Sequence, residues 1–521
     1  MPWFIDAHRF PLASACAALC LLAGCAAKGP NFSPPDPAVP AQWSTTQAGH
    51  EKPHAAAQNA IDVQAEPDPQ WWHRFNDPLL DSLEERAVAG NLDLKEAVVR
   101  IAASRSQEQI ARAQGLPNLN ASASYDREQL GLEGVIKANG GLPPSLKNNP
   151  TAVAAESQLT QPVNLFTVAL DSSWELDLFG KVARSVEAAG AQTEADKEAR
   201  SGALASLEAE VAQTYVQLRT AQSLRALTRS ILEDQRQTLE LTKSLQSNGL
   251  GRQADVEALE AKLAQNEAQL PQYEVQIAQA GNALAVLIGA TPGSLNAELA
   301  EAGDGKIFAL PNTVAIGLPA SLARRRPDIR QAEANLHAAT AQTGVAIASL
   351  FPDVSLSAQY GVRNTSTKYL FNWASRFYTV GPSVSLPIFQ GGALTANVHL
   401  ARAEQEAAAL EYRKTVLNAL SEVENALVAL DQDQAKSDAL RRTVEASDRS
   451  LTLARHAYHG GLATFITVLD GQRQSAQAKV QLASALAQQS TDLVTLYKAL
   501  GGGWEWQPLP TAEVSNDHAQ N

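Results

Sequence analysis

Two periodicities divide this chain. Asn118 to Asp126 alternates strictly, with Leu119, Ala121, Ala123 and Tyr125 on one face and Asn118, Asn120, Ser122, Ser124 and Asp126 on the other. That is the period of a strand with different surroundings on its two sides. A second run sets Leu170, Ser172, Trp174, Leu176 and Leu178 against Asp171, Ser173, Glu175 and Asp177. Three acids on one face would not sit unpaired in a protein core, so that face predicts water. Val354, Leu356, Ala358 and Tyr360 repeat the first pattern, and Val380, Pro382, Val384, Leu386 and Ile388 the second. The four strands are placed at about 116–128, 168–179, 351–363 and 378–389, each near the length of a tilted membrane-spanning strand with lipid outside and water inside. Trp174, Leu176, Val384 and Leu386 are assigned to the lipid side, and Asp171, Glu175, Asp177 and Ser385 to the lumen.

Between these runs the period changes to that of helices. Lys181 to Asn248 contains no proline and only two glycines, Gly190 and Gly202. At ~1.5 Å per residue a helix of that length reaches roughly 100 Å. After the Asn248-Gly249-Leu250-Gly251 turn signal, Val256, Leu263, Leu270, Ile277 and Leu284 recur every seven residues, a coiled-coil seam with polar Asn266 in it and a local break expected at Pro271. A matching pair runs through Asp431 to His459, a turn at Gly460-Gly461, and a helix to Leu500. Its seam is more polar, with Ser475, Ala478 and Gln489, and such a face is expected to line water.

The halves are copies. Asn91–Tyr125 matches Arg326–Tyr360 at an offset of 235, Leu170–Phe179 matches Val380–Phe389 at 210, and Gly249–Gly289 matches Gly461–Gly501 at 212. Three blocks in one order point to tandem duplication. The resulting organisation is a leader (1–24), an extended arm rich in Pro, Ala and Gln (25–70), a first repeat (71–310), a second repeat (311–506) and a C-terminal tail (507–521).

Composition narrows the function. With 42 Lys+Arg against 55 Asp+Glu, the formal charge of −13 excludes a nucleic-acid partner. All three cysteines, Cys16, Cys20 and Cys25, lie in the first 25 residues, which leaves no disulfide framework or thiolate metal site in the body of the chain. Leu22-Ala23-Gly24-Cys25 closes a short apolar stretch and looks like a bacterial lipoprotein signal, with lipid on the Cys25 thiol. Ala26 rather than Asp follows it, which by resemblance to sorted lipoproteins favours the outer membrane. No nucleotide loop, His-Glu-x-x-His or Gly-x-Ser-x-Gly is present, and His456 and His459 form the only close histidine pair of the repeats, read as a solvated helix end. No enzyme, cofactor or metal is expected; the alternative of a pore-less helical lipoprotein does not explain apolar strand faces opposite acids.

Counting then gives the architecture. Lipid tolerates no open sheet edge, and four strands cannot close a barrel. Two chains would give eight strands and a filled interior, and three give twelve and a channel, which the polar strand faces favour. The fold class is mainly α with a trimeric twelve-stranded membrane barrel continued by antiparallel helices in the periplasm.

Several motifs together resemble a known family. Trp71-Trp72 with Phe75-Asn76-Asp77-Pro78, Trp174-Glu175-Leu176-Asp177-Leu178-Phe179-Gly180, Arg325-Arg326-Pro327-Asp328-Ile329, Pro387-Ile388-Phe389, the turn from Gly461 to Arg473, and Leu500-Gly501-Gly502-Gly503-Trp504 are similar to those of the outer-membrane factor family of TolC and OprM, over about residues 30–506. The resemblance implies a homotrimer that docks with a periplasmic adaptor and an inner-membrane pump of the resistance-nodulation-division type, drug efflux being favoured over type I protein secretion. It also implies a gate at the periplasmic tip. There Ile466 supplies an apolar constriction and Asp470 an acidic one, with Arg473 or a neighbouring chain's Arg252 as the countercharge.

Overall fold

A computed structural model of the chain describes residues 27–46, 60–129, 148–154, 162–249, 251–301, 313–460 and 462–505, with single positions at 134, 138, 145 and 311. Cys25, Leu250, Gly461, the leader and the tail beyond 505 lie outside the described residues. The chain divides into two compact units. One comprises Met1–Ser33, Arg105–Ala191 and His337–Glu406, the other Pro34–Ser104, Gln192–Leu336 and Ala407–Asn521.

In chain order the strands are β1 (Ala60–Asp62), β2 (Asn118–Glu128), β3 (Val163–Leu176), β4 (Thr313–Ala315), β5 (Asp353–Asn364) and β6 (Arg376–Ser385). The first unit is built on one antiparallel sheet in the order β2-β3-β5-β6. Each strand expected from alternation is present, and the second and fourth shift in their bounds. The second strand begins five residues before the expected start and ends at Leu176 instead of Phe179. Asp177 therefore lies beyond the sheet. Its carboxylate accepts the Ala183 amide at 2.7 Å, satisfying a free N–H in the first turn of the Lys181–Ser247 helix. Gly180 permits the corner with φ of +80°, where an added Cβ would meet Ala27 at 2.5 Å. The fourth strand stops before Pro387, so Leu386 and Ile388 also lie past its end.

Helices dominate the rest. Lys181–Ser247 and Ala393–His459 are each 67 residues, and both ends are displaced by 212. Leu92–Ala113 and Pro327–Ala348 are each 22 residues, displaced by 235. The duplication is thus written into the element bounds at the offsets of the sequence blocks. The return helix of the first repeat is broken as Pro271 predicts, into Gln253–Glu267 and Leu270–Leu287, while its counterpart runs unbroken over Phe465–Ala499.

The second unit holds the main core. Trp71 stacks on Tyr497 at 5.3 Å and meets Trp72 edge-on at 5.7 Å, and Leu80, Leu83, Leu204, Tyr215, Leu284 and Leu493 close around them. The Phe75-Asn76-Asp77-Pro78 motif has a local explanation. Asn76 takes a left-handed conformation, Asp77 accepts from the Leu79 amide at 3.0 Å, and Pro78 starts the helix Pro78–Gly90. Asp77 also accepts the Tyr215 hydroxyl at 2.9 Å. Gly503, at φ of +109°, lies where a Cβ would strike the Glu208 carboxylate, so the glycine ending of the repeat is a packing requirement.

The polar seam corrects the expectation that it lines water. Ser475 and Gln489 are buried and hydrogen-bonded between helices, Ser475 to Asp448 and Gln489 to Gln434 at 3.0 Å. Gln472 donates to Thr238 at 2.8 Å, and Asn266 to Gln235 at 2.9 Å. Polar side chains at seam positions that face each other satisfy one another, so no water face is required. The arm is extended but anchored: Trp43 is fully buried and donates Nε1–H to the Gly317 carbonyl at 2.9 Å.

Candidate functional site

The four-stranded sheet is built as two chemically opposite faces, and its pairing register makes this concrete. Asn120, Asp171, Gln359 and Thr379 lie opposite one another in a row that crosses all four strands. Beside it run Ser173, Ser357 and Gly381, and then Glu175, Ser355 and Ser383. One residue away, on the other face, the rows are Ala121, Leu170, Tyr360 and Tyr378, and Trp174, Leu356 and Pro382. Alternation places successive side chains on opposite faces, so a polar surface and an apolar one follow from register alone.

Asp171 is the centre of the polar face. It accepts from Ser122 Oγ at 2.5 Å and from Gln359 Nε2 at 2.6 Å, which bridges β2, β3 and β5. Glu175 meets Lys181 Nζ at 3.3 Å, and Lys181 lies 3.6 Å from Asp353. Alternation places Ser122 on the polar face but not against Asp171, and it does not indicate Gln359 or Lys181. Their signal was the cross-strand register, which a single run of alternation does not contain. Of the three acids expected together, Asp171 and Glu175 share the polar face and Asp177 caps a helix.

The sheet has two open edges, β2 and β6. The apolar side of β6 and the segment after it are bare, with Ile388 and Phe389 exposed at 90% and 86%. Pro382 fits this position, since an edge strand tolerates a residue with no N–H to donate. Among the described residues no helix is long and apolar enough to cross a membrane.

The second candidate site lies in the other unit, near the two reversals of the long helices. Tyr458 and Phe465 meet at 5.7 Å between ring centroids, and Leu239, Val256 and Leu259 pack with Phe465 in a small apolar cluster. Outside it, Ile466 is exposed, and Asp470 and Arg473 pair at 3.1 Å with both side chains largely in solvent. Arg252 pairs with Asp255 at 3.3 Å. Within one chain the countercharge of Asp470 is therefore Arg473. A groove of about 460 Å³ joins Asp470, Arg473 and Leu469 to Lys262 and Gln265, and Lys262 is a further cation that the motif did not indicate.

The Arg325-Arg326-Pro327-Asp328 motif turns out to be a clamp. Arg326 reaches Asp328 at 2.7 Å, Glu422 at 2.8 Å and the Ala499 carbonyl at 2.7 Å, while Arg325 pairs with Glu66 at 2.6 Å and Glu505 at 2.8 Å. A buried guanidinium with its donors satisfied fixes the start of one helix against the end of another.

The chain matches the family described as outer membrane efflux protein over residues 83–290 and 318–502. It is 31% identical over 493 residues to Nodulation protein T of Rhizobium leguminosarum bv. trifolii, covering 93% of this chain and 96% of that protein. It is 33% identical over 491 residues to the solvent efflux pump outer membrane protein SrpC of Pseudomonas putida, covering 94% and 97%. Among solved structures, the outer-membrane channel OprN superposes with a TM-score of 0.78 at 32% identity, covering 92% of this chain and all of that one. The open-state outer membrane channel MtrE of Neisseria gonorrhoeae gives 0.71 at 28%, covering 92% and 99%.

Proposed function

From the premise that this chain belongs to the outer membrane efflux protein family, and is an outer-membrane efflux channel protein, we propose that three copies close their sheets into one twelve-stranded barrel whose water-filled lumen is the polar face. The observation that supports this reading is the four-stranded sheet with one face of Asn120, Asp171, Gln359 and Thr379, an opposite apolar face, and unpaired edges at β2 and β6. A sheet with two open edges is not stable in hydrocarbon, and pairing β6 of each chain with β2 of the next removes every edge at once. The long helices then form the duct that receives substrate from a periplasmic adaptor and an inner-membrane pump. The tip residues Ile466 and Asp470 close it at rest. Cys25 carries lipid and supplies a second hold on the outer membrane, since one acyl chain alone binds weakly. Peptide mass spectrometry finding an unmodified Cys25 would remove that anchor from the scheme.

Mass measurement of the detergent-extracted protein, followed by single-channel recording in planar bilayers, tests the reading. A trimer with discrete conductance steps is expected. A well-folded monomer or dimer without conductance would exclude it and would favour a pore-less helical lipoprotein.

A further inference from the structure

The end of the sheet away from its helices carries a feature that conduction does not use. β2 and β5 are each entered from a helix, and β3 and β6 each lead into one. The helix connections therefore share one end, and the β5–β6 hairpin loop stands at the other. That loop is ordered: Ser375 Oγ donates to the Tyr369 carbonyl at 2.8 Å and accepts from Asn364 Nδ2 at 2.8 Å, while Leu370 is buried beneath. From this frame Phe371, Trp373 and Tyr378 stand 77%, 73% and 76% exposed. Arg376 lies 3.6 Å over the Trp373 ring, and Lys368 5.4 Å over that of Tyr369.

Charge distribution makes the cluster distinctive. In a chain of net charge −13, the 50 residues between Asp353 and Glu404 contain no acid. Among the described residues neither Lys368 nor Arg376 has a carboxylate partner. Arg376 also shares its register row with Val168 and Val362, on the apolar face, so its charge is carried at the rim of the surface that faces lipid.

We propose that the β5–β6 hairpin is a docking site for phosphorylated lipid headgroups of the outer leaflet, with Lys368 and Arg376 taking the phosphates and Phe371, Trp373 and Tyr378 seated at the level of the headgroups. Aromatic rings flanking basic side chains suit the boundary between acyl chains and headgroups, and uncompensated cations there attract anionic lipid. Water-exposed rings of this size have no such partner in a purely aqueous loop. The inference rests on the barrel reading, because it needs the apolar strand face to be turned to lipid.

The test uses the full-length protein in detergent, titrated with bisphosphorylated lipid A and followed by native mass spectrometry. Each basic residue near an anionic lipid surface is worth about fivefold in affinity, so Lys368→Gln with Arg376→Gln should weaken retention roughly twenty-five-fold. Arg363→Gln, a cation of the same hairpin whose register row is the polar one of Thr167, should leave it unchanged. Dephosphorylated lipid A should bind like the double variant, and inorganic phosphate at the same concentration should neither bind nor compete. Equal retention by the double variant, equal loss in Arg363→Gln, or competition by free phosphate would overturn the proposal. Conductance of the same preparations separates the two readings: a conducting double variant with undiminished lipid A retention ends the docking site alone, whereas failure of the parent protein to conduct ends the barrel reading and this site with it.

Discussion

At the scale of residues, Asp171 illustrates how a charged side chain is kept on a strand. Its two oxygens are taken by Ser122 and Gln359 from the flanking strands, so it stays polar without a cation partner and favours the wet face. Cysteines at Asp171, Glu175 and Ser385 should react with a membrane-impermeant thiol reagent in the assembled protein, and cysteines at Trp174 and Val384 should not. Equal labelling of both sets would refute the face assignment. An Arg on the apolar face near the midplane costs about 2–4 kcal/mol per site, which is the energetic reason for the segregation. Asp492 makes a second residue-scale prediction. Burial, and then the neighbouring Asp433 carboxyl, push its carboxyl up from 3.8 to about 6. The folded state therefore holds a proton that the unfolded state releases between these values, and stability falls as pH rises from about 4 through 6 and is flat above. Asp492→Asn should remove that slope and raise stability above pH 7 by about 1–2 kcal/mol. Melting curves of parent and variant from pH 4.5 to 8 that stay parallel would contradict it.

At the scale of elements, strands and helices were legible because each had a solvent contrast or an uninterrupted run to show. Proline-free segments gave helices of 67 residues, and Pro271 marked a real break. Register was not legible, since opposing Asp171 to Gln359 depends on how far β5 slides along β3, which no single strand states. Alternation also continues through Asp177, and only the competing demand of the helix terminus for an acceptor ends the strand before it. The seam of the second repeat misled because polarity at an inward position signals either water or a partner across the interface, and Gln434 supplied the partner. The tip is the element whose function is least fixed by its own packing. Asp470 and Arg473 form an exposed pair, worth under ~1 kcal/mol, so the closure proposed at the tip needs three chains to meet. Ile466→Ala with Asp470→Ala should raise basal conductance while leaving trimer content unchanged. Unaltered conductance in well-folded double-variant trimers would place the constriction elsewhere.

At the scale of the whole molecule, duplication and assembly are linked by arithmetic. Two repeats supply two hairpins, and their sheet of four strands ends in edges that only further copies can cover. A head-to-tail contact from β6 to β2 closes into a ring when its rotation divides a full turn, and three copies give twelve strands. The sequence contains no cysteine after Cys25, so one cysteine introduced on each edge reports on this contact. The direct test places a cysteine at Ala123 of β2, pairs it in turn with one at Tyr378, Val380, Pro382 or Val384 of β6, and oxidises the protein in outer membranes. A closed three-chain barrel predicts that one register yields covalent trimers as the end product under denaturing, non-reducing conditions, with dimers as transient intermediates. Dimers as the final species, an open ladder beyond trimers, or no cross-link at any register would contradict a closed three-chain barrel.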